Sequence, residues 1–165
     1  MKFGELAVEE AAGAVLAHSV RAGDVKFPKG HRLTHGDADT IKAAGVARVI
    51  AAALDAGDLM EDEAGSRIAS AIAPDHLKFS PATTGRVNIF STVNGLFRAS
   101  KHVVDRLNRI DPAITLACLN DRADVKAGDM VATIKIIPLA VAGQAVEQAM
   151  ALLASEMAFD VKPYT

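Results

Sequence analysis

At 165 residues the chain is long enough to bury roughly two thirds of its unfolded surface, as one domain or as two small subdomains sharing a core, and it needs no disulfide to fold. A formal net charge of −2, from 18 basic and 20 acidic residues, leaves no positive excess to neutralise a phosphate backbone, which sets nucleic acid aside as a main partner. The start, Met1-Lys2-Phe3-Gly4-Glu5, lacks the apolar region of a signal peptide, and no apolar run approaches the ~18 residues of a membrane span, so no membrane partner and a cytoplasmic location are expected.

In chain order, a strand is predicted around Phe3 to Leu6. One helical turn from Val8 to Ala12 follows, closed by Gly13, and then a strand from Ala14 to Val20. Turns at Arg21-Ala22-Gly23-Asp24 and Pro28-Lys29-Gly30 bracket an extended piece from Val25 to Phe27. Thr34 caps a helix whose third residue, Asp37, completes an acidic capping box, and a strand from Val46 to Ile50 ends this ribbon–helix–strand module. Asp55-Ala56-Gly57-Asp58 breaks the pattern, which divides the chain into subdomains 1–57 and 58–165.

In the second part the acidic run Asp58, Glu61, Asp62 and Glu63 suits the start of a helix reaching Ile72. Residues 84–99 are predicted as a hairpin turned by Asn94-Gly95. A helix over Val103, Val104, Leu107 and Ile110 ends at Asp111-Pro112, and Ile114 to Leu119 forms a strand. Asn120 to Asp124 is a polar loop. Met130 to Ile137 is a strand apolar enough to be covered on both faces, apart from Lys135. Spacings of three and four among Val146, Ala149, Met150, Leu153 and Met157 give a C-terminal helix over 142–158. The last residues, Phe159 to Thr165, read as an extended link to another domain. The class is α+β, with small mixed sheets or ribbons and packed helices. The hydrophobic half of the composition is rich in Ala and Val and holds no Trp, which favours helices lying close against a sheet.

The chemistry offered is sparse. Of the histidines His18, His31, His35, His76 and His102, only His31 and His35 lie near each other, so no metal site is implied. Cys118, within a strand, reads as a small buried hydrophobe. Phosphate-loop and nucleophile-elbow patterns are absent. Thr83-Thr84-Gly85-Arg86-Val87-Asn88 gathers hydroxyls, a flexible glycine, a guanidinium and an amide. Either Gly85 turns the chain and Arg86 pairs with an acid, or the group holds an anion through Arg and backbone N–H contacts. Lys135, set between Thr133-Ile134 and Ile136-Ile137-Pro138, either snorkels, pairs with a carboxylate, or enters a polar pocket.

Three strings then carry a resemblance: Thr84-Gly85-Arg86-Val87-Asn88-Ile89-Phe90, Leu107-Asn108-Arg109-Ile110-Asp111-Pro112-Ala113-Ile114-Thr115-Leu116-Ala117, and Met130-Val131-Ala132-Thr133-Ile134-Lys135-Ile136-Ile137-Pro138. They look like the amino-terminal half of the bacterial molybdopterin-binding proteins that are often fused to a molybdenum-cofactor cytidylyltransferase-like domain. The earlier stretch from Val8 to Val20, with Lys29 to Thr34 and Ala43 to Val49, resembles the ribbon–helix–strand segment of molybdopterin molybdotransferases.

The resemblance runs from Met1 to Tyr164. It implies a parent protein in which a molybdopterin-binding domain and a nucleotidyltransferase-like domain follow this region. Neither of their glycine-rich signatures occurs between Met1 and Thr165. The chain is therefore expected to be a fragment acting as a non-catalytic accessory domain that shapes a cofactor cleft or a dimer surface. Thr84, Gly85, Arg86, Asn88, Asn108, Thr115 and Lys135 are its implied molybdopterin (molybdenum cofactor) contacts, with weak or no affinity in this chain alone. Two other readings stay open. One is a dimerisation or regulatory module, without cofactor contact, joined as a homodimer through the first module and the C-terminal helix. The other is an enzyme with Lys135 as base or Schiff-base former.

Overall fold

The computed structural model describes all residues, 1–165, and shows an α+β fold of small antiparallel sheets and four helices. The chain divides into two units, Met1–Asp58 and Leu59–Thr165, one residue from the boundary expected at the Asp55–Asp58 break. Each unit carries a hydrophobic core of its own, where a shared core was one of the expectations.

The first unit runs β1 (Lys2–Ala7), a single 3-10 turn (Val8–Glu10), β2 (Val15–Leu16), β3 (Val20–Ala22), β4 (Val25–Phe27), α1 (His35–Ala43) and β5 (Arg48–Ala53). β5 lies between β1 and β2, antiparallel to both, while β3 and β4 form a separate ribbon. The single strand expected from Ala14 to Val20 is thus split: Val15 and Leu16 pair with β5, and Val20 starts the ribbon. Val8, Leu16, Leu33, Ile41 and Val49 meet in the core. Thr34 Oγ1 accepts from the Asp37 N–H, and the Asp37 carboxylate accepts from the Thr34 N–H at 3.0 Å, the reciprocal cap that the sequence indicated. The same carboxylate oxygen meets His31 Nε2 at 2.8 Å.

The second unit begins as β6 (Asp58–Met60) leads into α2 (Glu61–Ser70). It continues with β7 (Leu77–Phe79), β8 (Arg86–Ser91), β9 (Gly95–Ala99), α3 (Lys101–Asn108), β10 (Ile114–Cys118) and β11 (Ala123–Val125). β12 (Met130–Ile136), β13 (Ala140–Ala142), α4 (Gly143–Ser155) and β14 (Phe159–Pro163) complete it. Two sheets organise it: a four-stranded one in the order β10-β12-β8-β7 and a three-stranded one in the order β11-β9-β14. Helices α2 and α4 pack on each other, and α2 also rests on β8 and β12. Small residues on α2, Ala64, Gly65 and Ala69, face the core and let that helix approach the sheet closely.

This topology corrects three readings and adds a strand. Residues 84–99 do not form a hairpin, because β8 and β9 belong to different sheets. Asn94 instead accepts from Ala127 N–H through its side chain and from Tyr164 N–H through its carbonyl, and Gly95 lies where an added Cβ would collide with the Lys162 carbonyl oxygen. The segment from Phe159 is no link but strand β14, paired with β9. The polar loop expected from Asn120 to Asp124 gives way at Ala123 to β11, and Leu77–Phe79 is a strand that its short length concealed. No helix is long and apolar enough to cross a membrane.

Two substitutions test these local arguments. Thr34→Ala removes the cap and should cost about 1 kcal/mol, read from the denaturant midpoint. The Thr34 amide, and after it the His31 ring, hold the Asp37 carboxyl below its ordinary range. The stabilisation this gives is therefore present above the unfolded value near ~4 and is lost as the pH falls through the lowered one. Gly65→Ala, by contrast, should raise the midpoint by up to about 1 kcal/mol of helix propensity, since its Cβ would meet Val87 Cγ2 at 3.5 Å, an ordinary contact.

Candidate functional site, the open face of the four-stranded sheet

Side chains along a strand alternate between faces, so the register fixes which residues stand together. In the pairing of β8 with β12, Arg86 is opposite Lys135 and Asn88 opposite Thr133; in that of β10 with β12, Thr115 is opposite Lys135. One row across three strands is therefore Arg86, Lys135 and Thr115, and the next holds Asn88, Thr133 and Ala117. Beyond it, Phe90 faces Lys78 of β7. The intervening residues Val87, Ile89, Leu116, Ile134 and Ile136 are buried in the core, while on this side Lys78, Arg86 and Met130 are exposed and Asn88, Phe90, Thr115, Thr133 and Lys135 are half-buried. β12 is consequently covered on one face, where coverage of both was expected. Its outward residues are polar because that side of the sheet meets solvent.

The turn that starts β8 sets this register. Thr83 and Arg86 exchange both backbone hydrogen bonds, at 3.1 and 3.0 Å. Thr84 and Gly85 between them have φ values of 48° and 73°, the pair of left-handed residues that a two-residue hairpin turn of matching twist demands. Gly85 donates its N–H to Asp62 Oδ1 at 2.7 Å, at the start of α2, and accepts through its carbonyl from Ile136 N–H at 2.7 Å. A Cβ there would lie 2.7 Å from the Ile136 carbonyl oxygen. The Thr84 carbonyl accepts from Lys135 Nζ, and its hydroxyl donates to the Thr83 carbonyl at 2.8 Å. Lys135 thus reaches the sheet end and bonds a neutral oxygen.

Because Ile136 N–H donates to Gly85 across the strands, Arg86 and Lys135 form a non-hydrogen-bonded pair, the narrower of the two antiparallel arrangements, with side chains close together. Two like charges directly opposite each other oppose strand pairing. No position on these paired strands of the face is acidic, and ion pairs of the unit stand elsewhere, among them Glu63 with Arg67, Arg98 with Asp160, Lys101 with Asp105, Arg106 with Glu156 and Asp121 with Arg122. Arg86 Nη1 donates to Thr133 Oγ1 at 3.3 Å, and Thr133 Oγ1 donates to Asn88 Oδ1 at 2.9 Å. The chain of hydroxyl and amide holds the guanidinium against the sheet without neutralising it. What the face offers is positive charge with N–H and O–H donors, the chemistry of anion binding.

Of the residues indicated by sequence, Arg86, Asn88, Thr115 and Lys135 converge here, and Thr84 and Gly85 build the turn at its end. Asn108 does not join them. From the end of α3 its side-chain amide donates to the Leu116 carbonyl at 2.9 Å and its oxygen accepts from the Leu116 N–H at 2.7 Å, so it serves as a surrogate strand along the outer edge of β10. Lys78, Phe90 and Thr133 complete the face and were not singled out by the sequence. Period-two alternation with Asn88 signalled Phe90, but Lys78 and Thr133 need the strand order. No group of three or more His, Cys, Asp or Glu side chains stands together as a metal centre. Cys118, half-buried in β10, has its thiol pKa pushed up by burial.

Gly85→Ala should destabilise the protein by more than about 1 kcal/mol, through both backbone strain and the clash at Ile136. Asn108→Ala should cost about 1–3 kcal/mol by leaving the Leu116 backbone groups to poorer partners. Thermal unfolding of each variant beside Gly65→Ala checks the ranking.

Residues 5–53, within the first unit, match a family described as a domain of unknown function, DUF8806. No curated protein and no solved structure matches the chain.

Proposed function

We propose that this chain is a non-catalytic accessory domain whose open sheet face receives an anionic, phosphate-bearing ligand, and that the ligand is the pterin phosphate of a molybdopterin. The observation that carries the anion site is the Arg86–Lys135 pair, set directly across neighbouring strands with no acidic residue on the paired strands of the face. Such a like-charge pair costs roughly 0.2–1 kcal/mol in the empty sheet. A phosphate seated between the two turns that repulsion into two charge-assisted contacts. Thr115 stands on the far side of Lys135 to add a hydroxyl, and Asn88 and Thr133 orient the guanidinium. Phe90, further along β8, offers an aromatic surface to a ring attached to that phosphate.

The pterin part of the reading rests on the resemblance of the strings around Arg86, Asn108 and Lys135 to bacterial molybdopterin-binding proteins. On that reading the chain contributes some of the contacts to the cofactor in the cytoplasm, and a downstream pterin-binding domain of the parent protein contributes the rest, so the isolated chain binds weakly.

Amide-detected NMR titration with inorganic phosphate and with a synthetic pterin phosphate ester separates the two parts. Both ligands should shift Arg86, Thr115 and Lys135 saturably, the ester more tightly. Arg86→Ala and Lys135→Ala should each weaken binding by about tenfold, or 1.4 kcal/mol, whereas Asn108→Ala should leave it unchanged. Equal affinity for ester and phosphate would remove the pterin assignment alone. Shifts that fail to saturate on this face would remove the anion site.

A further inference from the structure

The three-stranded sheet ends in an edge that neither helix nor loop pairs with. β14 bonds to β9 alone, in the strand order β11-β9-β14. Ser100 N–H donates to the Ala158 carbonyl at 2.8 Å and Tyr164 N–H to the Asn94 carbonyl at 3.1 Å. Hydrogen-bonded positions alternate along an antiparallel strand, so residues 158, 160, 162 and 164 turn their backbone groups toward β9. Phe159, Val161 and Pro163 turn theirs outward. Pro163, which has no N–H, falls on the outward side, the only place in such a strand where its missing donor costs no ladder bond. The outward groups border an open cleft of about 300 Å³, flanked by Asp75, His76 and Met157. The strand itself is locked in place, because the Phe159 and Val161 side chains are buried in the core.

We infer that this edge pairs with the same edge of a second copy, antiparallel about a two-fold axis at Val161, joining two three-stranded sheets into one. The sequence Phe159-Asp160-Val161-Lys162-Pro163 is self-complementary about that centre. Val161 exchanges N–H and C=O with its counterpart. Each Phe159 N–H reaches a Pro163 carbonyl of the other copy, so both outward donors are met and proline is asked only to accept. The polar side chains then fall into narrow pairs, Asp160 opposite Lys162 on either side of the axis. Lys162 is exposed and takes no part in an ion pair within the chain, whereas Asp160 is held by Arg98 and would stand between two cations.

Register discrimination argues for a second copy over an unrelated strand. Sliding the pair by one step of two residues in one direction sets Asp160 against Asp160; the opposite slide sets Lys162 against Lys162. Like charges directly opposite oppose pairing, so the edge rejects its neighbouring registers and accepts one. A lysine and a proline on an edge deter indiscriminate strand addition, and here the same two residues fit the two-fold arrangement. This interface uses β14 and not the Arg86–Lys135 face, so it stands apart from the anion site.

Sedimentation equilibrium of the full chain tests the pairing. The expected result is a reversible dimer in the micromolar range. Lys162→Glu should raise its dissociation constant by at least about tenfold, by placing acid opposite acid twice. Val161→Pro removes an outward N–H and should do the same, and circular dichroism should find both variants folded. Mixing Lys162→Glu with Asp160→Lys chains should restore association as heterodimers, since the opposed charges are again unlike. A chain monomeric at every concentration would overturn the inference, as would a dimer indifferent to Lys162→Glu.

Discussion

Burial of one face only governs the second unit. α2 and the core take the inward residues of the four-stranded sheet, Val87, Ile89, Ile134 and Ile136, and the pleat sends every alternate residue the other way. No separate selection of position is then needed to bring Arg86, Lys135 and Thr115 into a row. Any residue one place from a buried one, on adjacent strands in register, shares the outward face. The chemistry of the site is the outward remainder of a packing problem solved on the inner side, and its charge is tolerated because solvent screens a half-exposed face far better than a core.

That packing depends in turn on a single backbone position. Gly85 closes the turn, accepts from Ile136 and donates to Asp62, and so ties strand β8, strand β12 and the start of α2 at one point. A shift of one residue at this turn would exchange the two faces of β8, placing Arg86 and Asn88 against α2. The acids at the start of α2 do more than complement the helix dipole, because Asp62 directs a carboxylate oxygen onto the Gly85 amide. Glycine is demanded twice over, by φ and by the approach of the Ile136 carbonyl.

Local chemistry was legible in the sequence, and pairing was not. The Thr34–Asp37 cap, the break near Asp58 and most helices follow from signals contained within a few residues. Asn94-Gly95 misled for the opposite reason. As a dipeptide it is a strong hairpin signal, yet the two strands beside it find better partners far along the chain, β12 for β8 and β14 for β9. Gly95 is used instead for the close approach of the Lys162 carbonyl. The apolar run in β12 misled similarly: Met130 and Ile137 are exposed despite their type, so hydrophobicity alone suggested a second covering layer. Lys135 was recognisable as a charged residue in an apolar strand and Arg86 and Asn88 as members of a polar segment, while Thr115 entered through the resemblance. Their convergence, with Thr133 and Lys78 added, requires the order β10-β12-β8-β7, which no local pattern encodes. Asn108 entered through the resemblance alone, and its amide is spent on the backbone of Leu116.

The two polar surfaces of the second unit illustrate different uses of charge on a sheet. On the face, Arg86 and Lys135 are opposed across strands with no acidic residue on the paired strands, and the proposed partner is accordingly a small anion. On the edge, Asp160 and Lys162 alternate along one strand and leave a pattern that its own inverted copy neutralises. The difference lies in symmetry. Two cations in a row have no self-complement, whereas an acid and a base placed evenly about a central residue do. Charge arrangement therefore separates a surface suited to a ligand from one suited to a second subunit, although strands of one unit supply both.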